Sequence, residues 1–346
     1  MFKIAIAGAT TLVGRELKEA LSESALEASS FVLLDDEEAQ GQLDQVGDEV
    51  TIIQSITPDA FERVDFTFFC DTPALTRKHW HEALRAGSTV LDLTGALDQE
   101  TGVVVRAPMM GAGLPGAEAA AVDLCTPAVV PAHPAALALA LIMERLQESA
   151  VLRAVFATVL LPASEFGRAA LDELHQQTVN LLSFQGIPRE LYDTQAAYNL
   201  LGGLGEAAKV SLGAVEARVR RHLAALSQGR WPALGLQVVH APAFHGHTFS
   251  IAIELERAVE ITALEAALGG GQVELVQEES DSPSNLAAMG QDHVLVRLRP
   301  EPEPGGGPEV KRLWLWAASD NLRLQARNAV ECALELRRLR PKGTVQ

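Results

Sequence analysis

Short apolar runs alternate with segments of helical periodicity over the first 130 residues. The run from Lys3 to Ala7 ends at Gly8, and apolar residues then recur at helical spacing from Arg15 to Leu21. Further apolar runs predict strands over residues 31–34, 50–53, 65–69 and 88–93, with a helix over 77–86. Strands that alternate with helices are typical of a parallel, doubly wound sheet, because right-handed crossovers pass over its faces. The pattern therefore predicts a Rossmann-type N-terminal domain.

The pattern changes after three prolines, Pro127, Pro131 and Pro134, which precede an apolar helix predicted over residues 135–146. Beyond that helix the predicted strands are long and mix with long helices, the strands covering residues 154–161, 236–240, 250–255, 293–298 and 313–317 and the helices residues 168–182 and 204–226. This grouping predicts an α+β domain in which helices cover one face of a mainly antiparallel sheet. We expect residues 1–130 with 321–346 to form the nucleotide-binding domain, and residues 131–320 the second domain.

Composition agrees with a folded, two-domain protein of 346 residues and limits its partners. The formal net charge of −17 gives a surface that repels nucleic-acid backbones and anionic membranes. Three cysteines without CxxC spacing indicate neither a disulfide framework nor a zinc site. The N-terminus has no secretory signal pattern, and no apolar run approaches the ~20 residues of a membrane-spanning helix. We expect a cytoplasmic location.

A glycine turn between the first strand and the first helix is a candidate nucleotide site. Such turns let backbone amides approach a pyrophosphate, so the candidate cofactor residues are Gly8, Thr10, Thr11, Leu12 and Val13, with NAD or NADP as the ligand. Thr11 stands at the middle position of the glycine pattern, where its side chain is expected to intrude on the phosphate path. Alternatively, Gly8 and Gly14 are required only for the turn and for helix packing.

The second predicted strand ends in an acidic cluster that bears on cofactor choice. Asp35 or Asp36, roughly 20 residues after the turn, could accept hydrogen bonds from an adenosine ribose diol. Adjacent carboxylates repel a 2′-phosphate, which favours NAD over NADP. The alternative is that the cluster is a solvated loop.

Several segments in order resemble the aspartate-semialdehyde dehydrogenases over nearly the whole chain. They are Ile4 to Thr10, Val90-Leu91-Asp92, Ala197-Tyr198-Asn199, Ala241 to His247 (similar to V-P-V-x-x-G-H-S) and Trp316 to Arg323 (similar to W-V-V-x-D-N-L-R). The resemblance implies a Rossmann-type domain followed by a substrate and dimerisation domain, and hence a homodimer. It also implies NADP-linked, reversible reductive dephosphorylation of β-aspartyl phosphate through a cysteine thioester.

The resemblance places Pro134 where the family has its nucleophilic cysteine, directly before the long apolar helix. Proline suits the first turn of a helix, because its missing amide hydrogen would be unpaired there anyway. It cannot form a thioester. Cys125 lies nine residues earlier, before two prolines, so a small buried residue is the preferred interpretation for it.

Other positions matched to the family's site have also changed. By the resemblance, Leu161 replaces a glutamine that orients the reacting carbonyl, and His240 replaces an arginine that grips the substrate carboxylate. The family's phosphate-contacting arginine maps near Asp98, which reverses the charge there. Two positions are retained, because His247 matches the catalytic histidine and Glu216 the glutamate that meets the substrate's amino group. No metal site is expected.

These losses together favour a protein without the parent dehydrogenase activity. The chain resembles the Usg-type paralogues of the family, and we expect it to act as a dimeric binding or assembly protein, including mixed assembly with an active relative. One alternative is an NAD(P)-dependent oxidoreductase that acts on an aldehyde or acyl substrate of aspartate-family amino-acid biosynthesis. The other is a nucleotide sensor without turnover.

Overall fold

The protein consists of two compact units. The computed structural model describes residues 2–27, 29–111, 122–123, 126–277, 282–301 and 307–339. Unit 1 comprises residues 1–133 and 325–346, and unit 2 comprises residues 134–324. Among the described residues, none of the helices combines the length and apolarity required to cross a membrane.

Unit 1 contains a parallel sheet with helices packed against it. Its elements are β1 (Lys3–Ala7), α1 (Leu12–Ser22), β2 (Ser30–Asp35), β3 (Leu43–Val46), β4 (Glu49–Ile52), β5 (Gln54–Ser55), β6 (Phe66–Phe69), α2 (Pro73–Arg85), β7 (Thr89–Asp92), β8 (Val104–Arg106) and β9 (Ala128–Pro131). The strand order is β5-β2-β1-β6-β7-β9-β8, and each pairing is parallel. The Rossmann-type prediction is therefore confirmed.

The core of unit 1 forms because β1 and β6 are apolar along their length. Side chains of alternate residues enter opposite faces of the sheet, as expected for strands covered on both sides. The closing helix α7 (Asn321–Leu339) contributes its apolar stripe to one of these faces, through residues that include Ala326, Ala329 and Val330. Small apolar residues at helical spacing give α7 one apolar face, and this is the face that it buries.

One strand predicted for the parallel sheet has a different place. Residues 49–52 pair antiparallel with β3 in a separate two-stranded ribbon. Val50 and Ile52 are exposed, so the run lacks the double burial of a central parallel strand. An apolar run alone does not distinguish an exposed ribbon from a core strand.

Unit 2 contains a mixed sheet with helices packed against one face. Its elements are α3 (Pro134–Gln147), β10 (Leu152–Leu161), α4 (Arg168–Leu182), α5 (Leu212–Ser227), β11 (Gly235–His240), β12 (His247–Glu260), α6 (Ile261–Leu268), β13 (Val273–Leu275), β14 (Val294–Pro300) and β15 (Glu309–Ser319). The strand order is β11-β10-β12-β15-β14-β13. The central pairs are antiparallel, whereas β10 with β11 and β13 with β14 are parallel.

The predicted α+β class of unit 2 is confirmed, with one helix boundary corrected. Helix α5 begins at Leu212 rather than at residue 204, because Ser211 caps it by accepting a hydrogen bond from the Ala214 amide at 3.2 Å. Upstream, a Cβ on Gly205 would lie 2.3 Å from the Asp193 carbonyl oxygen. This close approach and the cap explain why the helix starts late.

Candidate functional site

The turn after β1 brings together the residues predicted to contact a nucleotide. Thr11 caps α1, since its hydroxyl accepts from the Gly14 amide at 3.0 Å and donates to the Gly8 carbonyl at 2.7 Å. The side chain thus folds back onto its own loop. A Cβ on Gly14 would lie 2.1 Å from the Gly8 carbonyl oxygen, so close packing of helix and strand requires glycine there.

Asp35, at the end of β2, closes against this turn. Its buried carboxylate accepts from the Thr10 amide at 2.7 Å and from the Asp36 amide at 2.9 Å. Asp36 instead organises its own turn, accepting from the Glu38 and Ala39 amides at 3.1 and 3.0 Å. Of the two candidate carboxylates, the structure places Asp35 beside the glycine turn.

The carboxyl edge of the unit 1 sheet carries negative charge. Burial is the main cause that raises the pKa of Asp71, the residue two positions after β6, and the negative charge of Asp35 raises it further. Burial is also the main cause that raises the pKa of the Cys70 thiol well above its usual value, and the charge of Asp92 at the end of β7 adds to it. An anionic ligand at this edge therefore needs backbone donors to offset these charges.

Helix α3 begins at Pro134, the position matched to the family's cysteine. Pro134 is buried, as are the alanines and leucines that follow it. Its ring suits the first helical position, and it carries no nucleophilic atom. Among the described cysteines, Cys70 and Cys332 are buried in unit 1 with raised thiol pKa values, while Cys125 lies outside the described residues. Neither described thiol is an activated nucleophile.

His247, the first residue of β12, contacts a carboxylate that the sequence did not single out. Its Nε2 lies 2.9 Å from Oε2 of Glu165, a residue 82 positions earlier in the chain. The His247 side chain is fully buried, and that of Glu165 is 11% exposed. A buried imidazole paired with a carboxylate has a fixed ring orientation, and the nitrogen facing the carboxylate is occupied.

Backbone hydrogen bonds hold the Glu165 segment against the segment before His247. The amides of Ala163 and Ser164 donate to the carbonyls of residues 243 and 244 at 2.8 and 2.9 Å. Asn321 ties both segments together, because its Oδ1 accepts from Ser164 Oγ at 3.2 Å and from the Gly246 amide at 3.0 Å. These hydrogen bonds link the two segments that carry Glu165 and His247 within unit 2.

His240 is a neutral, buried residue at the end of β11. Burial lowers its pKa to about 4, and its ring packs 4.9 Å from that of Tyr192. Neither ring nitrogen has a hydrogen-bond partner among the described residues. At neutral pH an uncharged imidazole cannot balance a carboxylate, so His240 cannot replace an arginine in that role.

The remaining candidate residues have structural surroundings. Glu216 Oε1 accepts from Arg220 at 3.0 Å and its Oε2 from the Val238 amide at 3.2 Å, so it joins α5 to β11. Leu161 is fully buried at the end of β10. Asp98 lies in unit 1, in the turn after β7. The structure brings together Glu165 and His247 but does not show a contact of Glu216 with either.

Metal binding has no support in the described parts of the chain, where no cluster of three or more histidine, cysteine or acidic side chains could hold an ion.

Glu165 has no obvious sequence signal of its own. By the family resemblance, residues 160–167 match a segment Y-Q-x-x-S-G-x-G whose glutamine Leu161 replaces, and Glu165 stands at its first glycine. A charged residue at a glycine position is the one feature that could have drawn attention to it.

Two family models match the chain. Residues 3–135 match the semialdehyde dehydrogenase NAD binding domain, and residues 143–324 match the semialdehyde dehydrogenase dimerisation domain. A USG-1 protein homolog of Azotobacter vinelandii is 31% identical over 334 residues, covering 95% of this chain and 96% of that protein. A USG-1 protein homolog of Pseudomonas aeruginosa is 29% identical, covering 92% and 93%. The structure of a probable aspartate-semialdehyde dehydrogenase from Pseudomonas aeruginosa superposes with a TM-score of 0.83 at 27% identity, covering 97% of this chain and 98% of that one.

Proposed function

Because the chain belongs to the semialdehyde dehydrogenase family, we propose that it is a member without the parent dehydrogenase reaction that acts as a dimeric binding or assembly protein. The observation that carries this proposal is Pro134. A thioester needs a thiolate at the start of α3, and the helix starts there with a buried proline. The fold of the helix start is kept while the nucleophile is absent.

Two features of unit 2 support the same proposal. His240 is neutral at physiological pH, so it offers no charge to a substrate carboxylate. Leu161 is apolar and cannot orient a carbonyl by hydrogen bonding. Substrate binding is thus weakened along with the covalent step.

The outward face of the unit 2 sheet supports homodimer formation. Cross-strand pairing aligns Phe156, Ala252 and Trp314 in one row, so two large rings flank a small residue. Phe156 is 63% exposed and Trp314 is 40% exposed. A surface groove of about 590 Å³ runs beside Trp314 and Trp316, with Arg297 in its lining. Exposed aromatic rings next to arginine are typical of protein interfaces.

The same face could accept a related subunit. Residues 143–324 match a dimerisation domain, and the exposed aromatic row lies within that range. An active relative with a similar sheet face would present a comparable surface, which makes mixed assembly part of the proposal. Such an assembly would place an inactive subunit beside an active one.

The contact between Glu165 and His247 favours one second candidate. A carboxylate that orients an imidazole is a common arrangement for general acid–base chemistry. The protein could therefore be an NAD(P)-dependent oxidoreductase that acts on an aldehyde or acyl substrate without a covalent step. His247 would be the base, and Glu165 would position it.

The test is a turnover assay with aspartate semialdehyde, phosphate and either NAD⁺ or NADP⁺. The proposal predicts no nicotinamide reduction above the level given by His247→Ala. Reduction by the wild type that His247→Ala abolishes would overturn it and support the second candidate. Lysine substitution of an exposed site, Glu27→Lys, serves as the control for effects of mutagenesis.

A further inference from the structure

We propose that unit 1 retains a ribose-binding site for an unphosphorylated adenosine dinucleotide, and that Asp35 makes this site select NAD over NADP. The proposal concerns ligand choice by unit 1 and goes beyond the function proposed above. It holds whether or not unit 2 catalyses a reaction. The domain match implies a nicotinamide cofactor in general, so the inference turns on this chain's own side chains.

The turn after β1 fits the pyrophosphate end of such a ligand. Thr11 uses its hydroxyl for the Gly14 amide and the Gly8 carbonyl, so this polar group is turned onto its own loop. The first-turn amides of α1 have no acceptor in their own helix, and those of Leu12 and Val13 have none in the described protein. These amides and the helix dipole can offset phosphate charge.

Asp35 fits the ribose end. One oxygen accepts from the Thr10 amide and the other from the Asp36 amide, which fixes the carboxylate beside the turn. Each carboxylate oxygen can accept a second hydrogen bond, so both remain able to receive a diol hydroxyl. The carboxylate is therefore oriented before the ligand arrives, and little side-chain entropy is lost on binding.

The same carboxylate excludes a phosphorylated ribose. A 2′-phosphate would lie against Asp35, and Asp36, Glu37 and Glu38 follow directly in the chain. Asp71 lies at the same edge of the sheet and is subject to the charges of Asp35 and Asp36. Negative charges close to one another repel, and the described residues 35–40 contain no basic side chain that would compensate.

The test measures binding rather than turnover, by isothermal titration of the full-length protein with NAD⁺, NADP⁺ and ADP-ribose. We expect NAD⁺ and ADP-ribose to bind at least about tenfold more tightly than NADP⁺. Their ribose diol gains a charge-assisted hydrogen bond to Asp35, whereas the 2′-phosphate of NADP⁺ is repelled by it. Equal affinity for NAD⁺ and NADP⁺, tighter binding of NADP⁺, or no binding of any of the three at millimolar concentration would overturn the proposal.

Two variants separate the diol contact from a general charge effect. Asp35→Asn keeps an oxygen for the Thr10 amide and should reduce the ratio of NADP⁺ to NAD⁺ dissociation constants to within about threefold of unity. Glu37→Gln removes one charge from the same exposed turn and should leave most of the preference. An unchanged ratio in Asp35→Asn, with native circular dichroism, would contradict the assignment. Because no turnover is involved, failure of this proposal is distinct from failure of the function proposed above.

Discussion

Pro134 combines two properties that belong to different aspects of the molecule. Its fixed backbone angle suits the first position of α3, and its missing amide hydrogen has no acceptor to lose. Because proline has no thiol, the same residue leaves the helix start without the group that forms the thioester in the family. Restoring a thiol at one position would leave His240 neutral and Leu161 apolar, so the site would still lack its substrate contacts.

We predict that Pro134→Cys does not restore dehydrogenase turnover. The variant should fold and lose no more than about 1 kcal/mol of unfolding free energy, because proline stabilises mainly by restricting the unfolded chain. The measurement is NADH or NADPH formation from aspartate semialdehyde and phosphate with NAD⁺ or NADP⁺, and Pro134→Ala is the matched variant. Turnover by the cysteine variant alone would show that the other changes matter less than proposed.

We predict that His240 makes stability fall in mild acid. Its pKa is about 4 when folded and about 6.5 when unfolded, so the unfolded chain binds the extra proton first. The unfolding free energy should therefore decline as the pH drops from about 6.5 towards 4, by up to about 1.4 kcal/mol per pH unit. Urea unfolding of the wild type and of His240→Leu between about pH 6.5 and pH 4 measures this decline in unfolding free energy.

The exposed His175 supplies the control for this titration. His175→Gln should keep the wild-type pH dependence, whereas His240→Leu should flatten it. Identical slopes in wild type and His240→Leu would mean that other groups cause the acid sensitivity.

The element that connects β1 to α1 depends on a close approach between helix and strand. We predict that Gly14→Ala destabilises the protein by at least about 2 kcal/mol, because the added Cβ would lie 2.1 Å from the Gly8 carbonyl oxygen. Gly213, near the start of α5, is the matched control. An alanine there meets nothing closer than 3.8 Å and should stabilise by about 0.5 to 1 kcal/mol.

Thermal and urea unfolding of both glycine variants measures this difference. A Gly14→Ala protein as stable as wild type would show that α1 can move away from β1 at little cost.

Elements were predictable where one local pattern decides the outcome. β1 and the turn at Gly8 follow from an apolar run that ends in glycine, and α4 has the predicted bounds. The ribbon strand Glu49–Ile52 was misplaced because its apolar residues are exposed, and burial is not local information. The pairing of Glu165 with His247 joins positions 82 residues apart, so only the folded chain reveals it. The neutral state of His240 likewise depends on burial at the end of β11.

At the scale of the whole molecule, the proposal requires a dimer through the outward sheet face of unit 2. We predict that Trp314→Glu dissociates the dimer, because it places a charge in the aromatic row with Phe156. Light scattering coupled to size exclusion at micromolar concentration measures the mass. Leu182→Glu, on a helix residue that is 69% exposed outside this row, should remain dimeric. A dimeric Trp314→Glu protein would place the interface elsewhere.

The central claim is that this family member forms no thioester. The most direct measurement is intact-mass spectrometry of the acid-quenched wild-type protein after incubation with aspartate semialdehyde and NADP⁺ or NAD⁺ in the absence of phosphate. A working enzyme of this type would accumulate an acyl adduct that hydroxylamine removes. The account predicts an unmodified mass with either cofactor. A hydroxylamine-sensitive acyl adduct on any cysteine, Cys125 included, would contradict it.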